Sequence, residues 1–206
     1  MKKIESVQQL EEAYGAVVER ALWKEIDHIN DQYRQFIEHS PFLILATYGE
    51  KGVDCSPRGD PAGFVRVVDS TCIQIPDRRG NNRLDSLRNI VAEPSVGIIF
   101  LVPGSGETIR VSGRAEILLD EDLCKSFAID DKAASSVISV RVEKAYFQCQ
   151  KAIARSGLWD TASWGEKGAV PSAGQMAKVF AAAKGIDFDA EEYDRNYPEH
   201  MKKTIY

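Results

Sequence analysis

Cysteine and histidine are scarce in this 206-residue chain and form no spacing that holds a metal. The four cysteines, Cys55, Cys72, Cys124 and Cys149, contain no Cys-x-x-Cys pair, which excludes a zinc knuckle or a thioredoxin-type couple. They read as packed thiols. His28, His39 and His200 lie far apart in helical or terminal segments, so neither a metal set nor a Ser-His-Asp triad is suggested. No apolar run approaches the ~18 residues of a membrane span. Met1-Lys-Lys is followed by the polar stretch Ile4–Glu12, not by a signal-peptide core. A cytoplasmic location is expected. Excess positive charge is also missing: the net charge of −5 argues against a general binder of nucleic acid or anionic membrane. The phosphate loops G-x-G-x-x-G and G-x-x-x-x-G-K-[ST] are absent, which removes Rossmann and P-loop readings.

What is present is an ordinary globular composition, 44% hydrophobic and 28% charged, enough for one domain with helical additions. Ser6 predicts a helix cap ahead of Leu10 and Tyr14. Trp23, Ile26, Ile29, Tyr33 and Ile37 recur at helical spacing until Ser40-Pro41. The middle reads as strands: Phe42–Thr47, a return at Val53–Ser56, Phe64–Val68, Thr71–Ile75, Val96–Val102, the alternating Thr108–Ile117, and Val137–Val142. Leu84, Leu87 and Val91 suggest one face of a short helix ending before Pro94, and Asp120 suggests a cap for another. Lys144–Arg155 reads as helix, and Ser172 caps a further one ending at Gly185. Short strands joined by tight turns favour an antiparallel barrel over a parallel sheet. The expected organisation is a helical extension over 1–40, a barrel domain over 41–160 and a helical tail over 161–206.

One stretch carries chemistry: Ile75-Pro-Asp-Arg-Arg-Gly-Asn-Asn-Arg-Leu-Asp-Ser-Leu-Arg88. Arg78, Arg79, Arg83 and Arg88 crowd an otherwise acidic chain. Gly80, Asn81 and Asn82 tolerate left-handed backbone, so the loop can curl. It opens a helix whose first amides lack partners and carry partial positive charge. Guanidinium forks beside such amides suit a phosphate dianion. Arginines spread into water on a hairpin loop are the plain rival. A second basic strand end, Ser56-Pro-Arg-Gly-Asp60, favours the phosphate cage, with Pro57 steadying Arg58. Arg110 and Arg114 form another pair on the alternating strand, facing away from Ile109 and Val111.

The segments SPRGDPAGFV, IPDRRGNNRLDSLRNI, VGIIFLVPGSGETIRVSGRAEI and FQCQKAIARSGLW resemble the pyridoxamine 5′-phosphate oxidase-related, FMN-binding split-barrel superfamily. The likeness runs over about residues 30–165 and is nearest a branch with the PDRRGNNRLDS-type loop. It implies a mainly β fold: a split β-barrel of six to seven antiparallel strands with helical N- and C-terminal extensions. It also implies a homodimer with FMN between the subunits. By position, Arg58 matches the family's first phosphate-binding arginine. Ile75, Pro76 and Asp77 match the strand end beside the flavin ring, and Asn82 and Arg83 match the loop pair closing on the phosphate. Thr108 matches a polar flavin contact from the second subunit, Arg110 is its neighbour, and Trp159 is a further contact.

The tail His200–Tyr206 lacks the family's Trp-, Arg- and Pro-rich segment for pyridoxal phosphate, so vitamin B6 oxidase activity is not expected. No residue announces itself as a general acid or base. The expected activity is electron or hydride transfer from NADH or NADPH through the flavin to a small-molecule acceptor. Rival readings are a flavin sensor or store without turnover, and a barrel holding haem or a deazaflavin.

Overall fold

Side-chain caps set several helix starts in the computed structural model, which describes every residue except Lys2 and Lys167. Ser6 Oγ accepts from Gln9 N at 3.2 Å and starts α1 (Val7–Tyr14). α2 is a single turn (Arg20–Trp23). Asn30 Oδ1 accepts from Tyr33 N at 2.9 Å and starts α3 (Asp31–His39). The continuous helical spacing from Trp23 to Ile37 is therefore broken. Ile26 leaves the helical path to exchange backbone hydrogen bonds with Ala145, at 2.9 and 2.7 Å. A strand edge in need of partners outbids local helical periodicity here.

The strands follow as β1 (Phe42–Gly49), β2 (Gly52–Gly59), β3 (Arg66–Asp69) and β4 (Cys72–Asp77). After α4 (Asp85–Ala92) come β5 (Ser95–Leu101), β6 (Thr108–Leu118), α5 (Glu121–Lys125) and β7 (Ser136–Gln148). The chain ends with α6 (Lys151–Ser156), a 3₁₀ turn at Thr161–Ser163, α7 (Ala173–Ala182) and α8 (Ala190–Thr204). All pairings are antiparallel, in the order β2-β1-β5-β6-β7-β4-β3. The seven-stranded sheet stays open, as in a split β-barrel, with β2 and β3 as its edges.

Alternation along the strands builds the core. Leu43 and Leu45, Ile73 and Ile75, Val96, Ile98 and Phe100, Ile109 and Val111, and Ile138 and Val140 all point inward. Tyr33 and Ile37 of α3 and Ile90 of α4 join the same cluster.

Two local expectations change. Lys144–Gln148 continues β7 instead of forming helix, and the helix begins only at Lys151. Ala145 pairs with Val111 and Phe147 with Ile109, so the long β6 supplies ladder bonds that a helix would forgo. On α4, the buried residues are Ser86 and Ile90, whereas Leu84 and Val91 are exposed. Leu84 precedes the helix in left-handed backbone, φ 58°, which turns its side chain off the packed face.

Candidate anion cleft

Register brings Arg58, near the end of β2, toward the end of β4, where it forms an ion pair with Asp77. One residue further along, Arg78 Nε donates to Asp60 Oδ2 at 2.8 Å. These two pairs, between residues 19 and 18 apart in sequence, tie an edge strand to β4 across the split. The side chains of Asp60 and Asp77 are only 4% and 9% exposed. Carboxylates that deep need their arginines, because an unpaired buried charge is strongly disfavoured.

Beside them opens a cleft of about 430 Å³, walled by β2, the end of β4, the 78–84 loop and the first turn of α4. Asn82 and Leu84 are both left-handed, φ 57° and 58°, and curl the loop over this space. Asparagine tolerates that conformation, whereas for leucine it costs about 1–2 kcal/mol. Strain of this kind gathers at ligand sites. Ser86 Oγ donates to Asp54 Oδ2 at 2.6 Å and fixes the start of α4 against β2. Asn89 Nδ2 donates to Thr47 Oγ1 at 3.1 Å and fixes the next turn against β1.

Four arginines (Arg58, Arg78, Arg79 and Arg83) and three aspartates (Asp54, Asp77 and Asp85) line the cleft. Much of its positive charge is thus already matched, which the arginine count alone did not reveal. What marks the cleft for a ligand is donor geometry. Arg58 Nε and Arg78 Nη1 are buried with no hydrogen-bond partner. Buried N–H groups nearly always have an acceptor, so these two arginines of the cleft wall keep donor capacity that the protein itself does not use. A phosphate monoester fits that demand.

The residues expected from sequence fall into two groups. Arg58, Asp77, Asn82 and Arg83 line the cleft. Arg83 is paired with Asp85, and its side chain is 78% exposed. Ile75 is fully buried in the core, and Pro76 is buried beside a smaller cavity shared with Arg58 and Arg78. Arg88, from the same basic run, does not line the cleft. Thr108, Arg110 and Trp159 lie elsewhere, around the β5–β6 hairpin. Thr108 is buried at the start of β6, and the Arg110 guanidinium sits 5.1 Å from the Tyr146 ring centroid. Trp159 Nε1 donates to Ser105 O at 2.7 Å. Asp54, Asp60 and Ser86 were not singled out from the sequence. The only signal for them was the polar alternation of β2 and a serine just inside a helix. Among the described residues, no group of three or more His, Cys, Asp and Glu side chains is placed to hold a metal ion. No helix among them is long and apolar enough to cross a membrane.

An open antiparallel barrel with a donor-rich cleft at a strand-to-helix junction defines a split-barrel class of protein. The pyridoxamine 5′-phosphate oxidase family matches residues 29–149, and the chain belongs to that family. No curated protein shows a match to the chain. Solved structures with a similar fold include HupZ of Group A Streptococcus, at 19% identity and TM-score 0.47, covering 57% of this chain and 91% of that one. An FMN-binding protein of Syntrophomonas wolfei shows 14% identity and TM-score 0.43, over 55% of this chain and 82% of that one. General stress protein 26 of Bacillus anthracis shows 14% identity and TM-score 0.42, over 55% and 88%.

Proposed function

We propose that the cleft holds the phosphate of FMN and that the protein is a flavin-dependent oxidoreductase. The observation that carries this reading is the pair of buried, partnerless N–H groups on Arg58 and Arg78 within a cleft of this family. In this reading Arg58 and Arg78 grip the phosphate, Asn82 shapes the loop around it, and Arg83 adds charge at the rim. The strand end Ile75–Asp77 lies beside the ring. Bound FMN would supply a centre that accepts electrons or hydride from NADH or NADPH and passes them to a small-molecule acceptor. The chain's own part is anchorage, orientation and control of access.

Thr108, Arg110 and Trp159 join the same ligand in this reading when a second copy supplies them. Arg58 pairs with Leu43 of β1, and three strand spacings, about 14 Å, separate its register position from β6. A homodimer with FMN at the subunit boundary unites the two groups. Exposed apolar side chains on the N-terminal helices (Val7, Leu10, Tyr14, Trp23) and on α7 (Met176, Val179, Phe180) favour such an assembly. The 161–206 tail would then pack across the dimer.

The first test is the absorption spectrum of the purified protein, followed by titration of apo protein with FMN. An oxidised-flavin spectrum and saturable binding are expected. A Soret band, or a spectrum with no bound chromophore and no FMN binding, overturns the reading. Steady-state oxidation of NADH or NADPH then separates an enzyme from a flavin store or sensor.

A further inference from the structure

The C-terminal helices α7 and α8 pack on each other. Asp194 accepts from Ser172 Oγ and from Gly174 N, the latter at 2.8 Å, and Gly174 lies hard against the Ala190 carbonyl. The end of this hairpin reaches back to the barrel through Tyr206. Its backbone oxygen accepts from Lys132 Nζ at 2.8 Å. Its ring lies over the Arg78 guanidinium, 5.7 Å from ring centroid to Cζ, and its hydroxyl lies close enough to the Asp60 carboxylate to feel its charge. Tyr206 therefore lies against Arg78 and beside its partner Asp60. Arg78 is the residue common to the anion cleft, the small cavity between β2 and β4, and a groove beyond them.

We propose that Tyr206 is a positioning residue for the anion cleft, and that phosphate binding there and docking of the α7–α8 hairpin favour each other. Asp60 holds Nε of Arg78 and the Tyr206 ring holds a face, which leaves the partnerless Nη1 fixed in its buried place. Without Tyr206, the guanidinium loses its stacking contact. The fork is then free to turn toward water, and an incoming phosphate must reorder it. Coupling of this kind is reciprocal: whatever the docked tail adds to phosphate affinity, phosphate returns to tail docking. Burial and the nearby Asp60 carboxylate both push the Tyr206 phenol above its ordinary range, so the hydroxyl keeps its proton at neutral pH.

The inference rests on the reading of the cleft as a phosphate site, and the ligands chosen separate the two. Apo wild type, Tyr206→Phe and Tyr206→Ala are titrated with FMN and with riboflavin, which lacks the phosphate. Hydrogen exchange of residues 190–206 is followed with and without FMN and inorganic phosphate. Tyr206→Ala is expected to weaken FMN about tenfold, the scale of one charge-assisted contact, and to leave riboflavin unchanged. Tyr206→Phe, which keeps the ring, falls between. Both FMN and phosphate slow exchange in 190–206 of the wild type. Equal losses for FMN and riboflavin, no loss at all, or exchange indifferent to phosphate would overturn the role of Tyr206. If Tyr206→Ala is misfolded by circular dichroism, Tyr206→Phe and the wild-type exchange data decide. If wild type binds no FMN, the flavin reading fails by itself, and the phosphate-dependent exchange still tests Tyr206.

Discussion

Ser86, buried in the first turn of α4, donates a 2.6 Å hydrogen bond to Asp54 of β2, 32 residues away. This bond anchors the helix whose first turn lines the cleft. Ser86→Ala removes the donor and strands a half-buried carboxylate. A loss of about 1.5–3 kcal/mol is expected, the range for a hydrogen bond to a charged group. Urea unfolding measures it, and an unchanged midpoint would show that α4 is held by Ile90 and Asn89 alone.

Arg58 has two separable duties, toward Asp77 and toward a ligand. Arg58→Ala leaves Asp77 buried without its partner and is expected to cost about 3–5 kcal/mol of stability. Adding Asp77→Ala restores part of that loss. FMN affinity stays down by at least about tenfold in both variants. Recovery of FMN binding in the double variant would place the phosphate elsewhere.

Gly113 sits at the shift in register between β6 and β7. A Cβ there would collide with the Arg141 carbonyl, which is backbone and cannot step aside. Gly113→Ala should therefore destabilise by about 3 kcal/mol, at the upper end of overpacking effects. Gly80→Ala is the control, since open space surrounds that position. Thermal melts of the two variants distinguish a blocked bulge from a generic glycine effect.

The phenol of Tyr206 ordinarily titrates near 10.0 and is raised here, chiefly by burial and then by the neighbouring Asp60 carboxylate. Asp130 adds repulsion of the phenolate, while Arg78 works against the rise. A raised folded value means that the contribution is fully present below the unfolded pKa. It is lost as pH climbs through the folded one. Tail docking is thus expected to be flat across neutral pH and to weaken above about pH 10. The phenolate absorbance difference between wild type and Tyr206→Phe reports this titration. A transition at or below the ordinary phenol value would contradict the contact.

If the site is shared between subunits, FMN must favour the dimer by mass action. Sedimentation velocity across a dilution series is expected to show apo protein dissociating at concentrations where the FMN-loaded protein does not. A monomer with undiminished FMN affinity would rule out contributions from Thr108 and Arg110 of a second copy.

Much of this was legible in the chain itself. The apolar run Phe42–Thr47, the alternation in Thr108–Ile117, turn residues between the strands, and the caps at Ser6, Asp120 and Ser172 follow from interactions spanning a few residues. Local rules therefore find them. The basic loop was visible for the same reason, because arginines, asparagines and a helix start lie consecutively. Tertiary structure alone decided that Lys144–Gln148 is strand, that Ile26 leaves its helix for Ala145, and that aspartates neutralise much of the cleft. It also decided that Asp60, Arg78 and Tyr206 meet. Each of these depends on a partner distant in sequence, and a hydrogen bond or ion pair across that distance leaves no periodic trace in the amino-acid order.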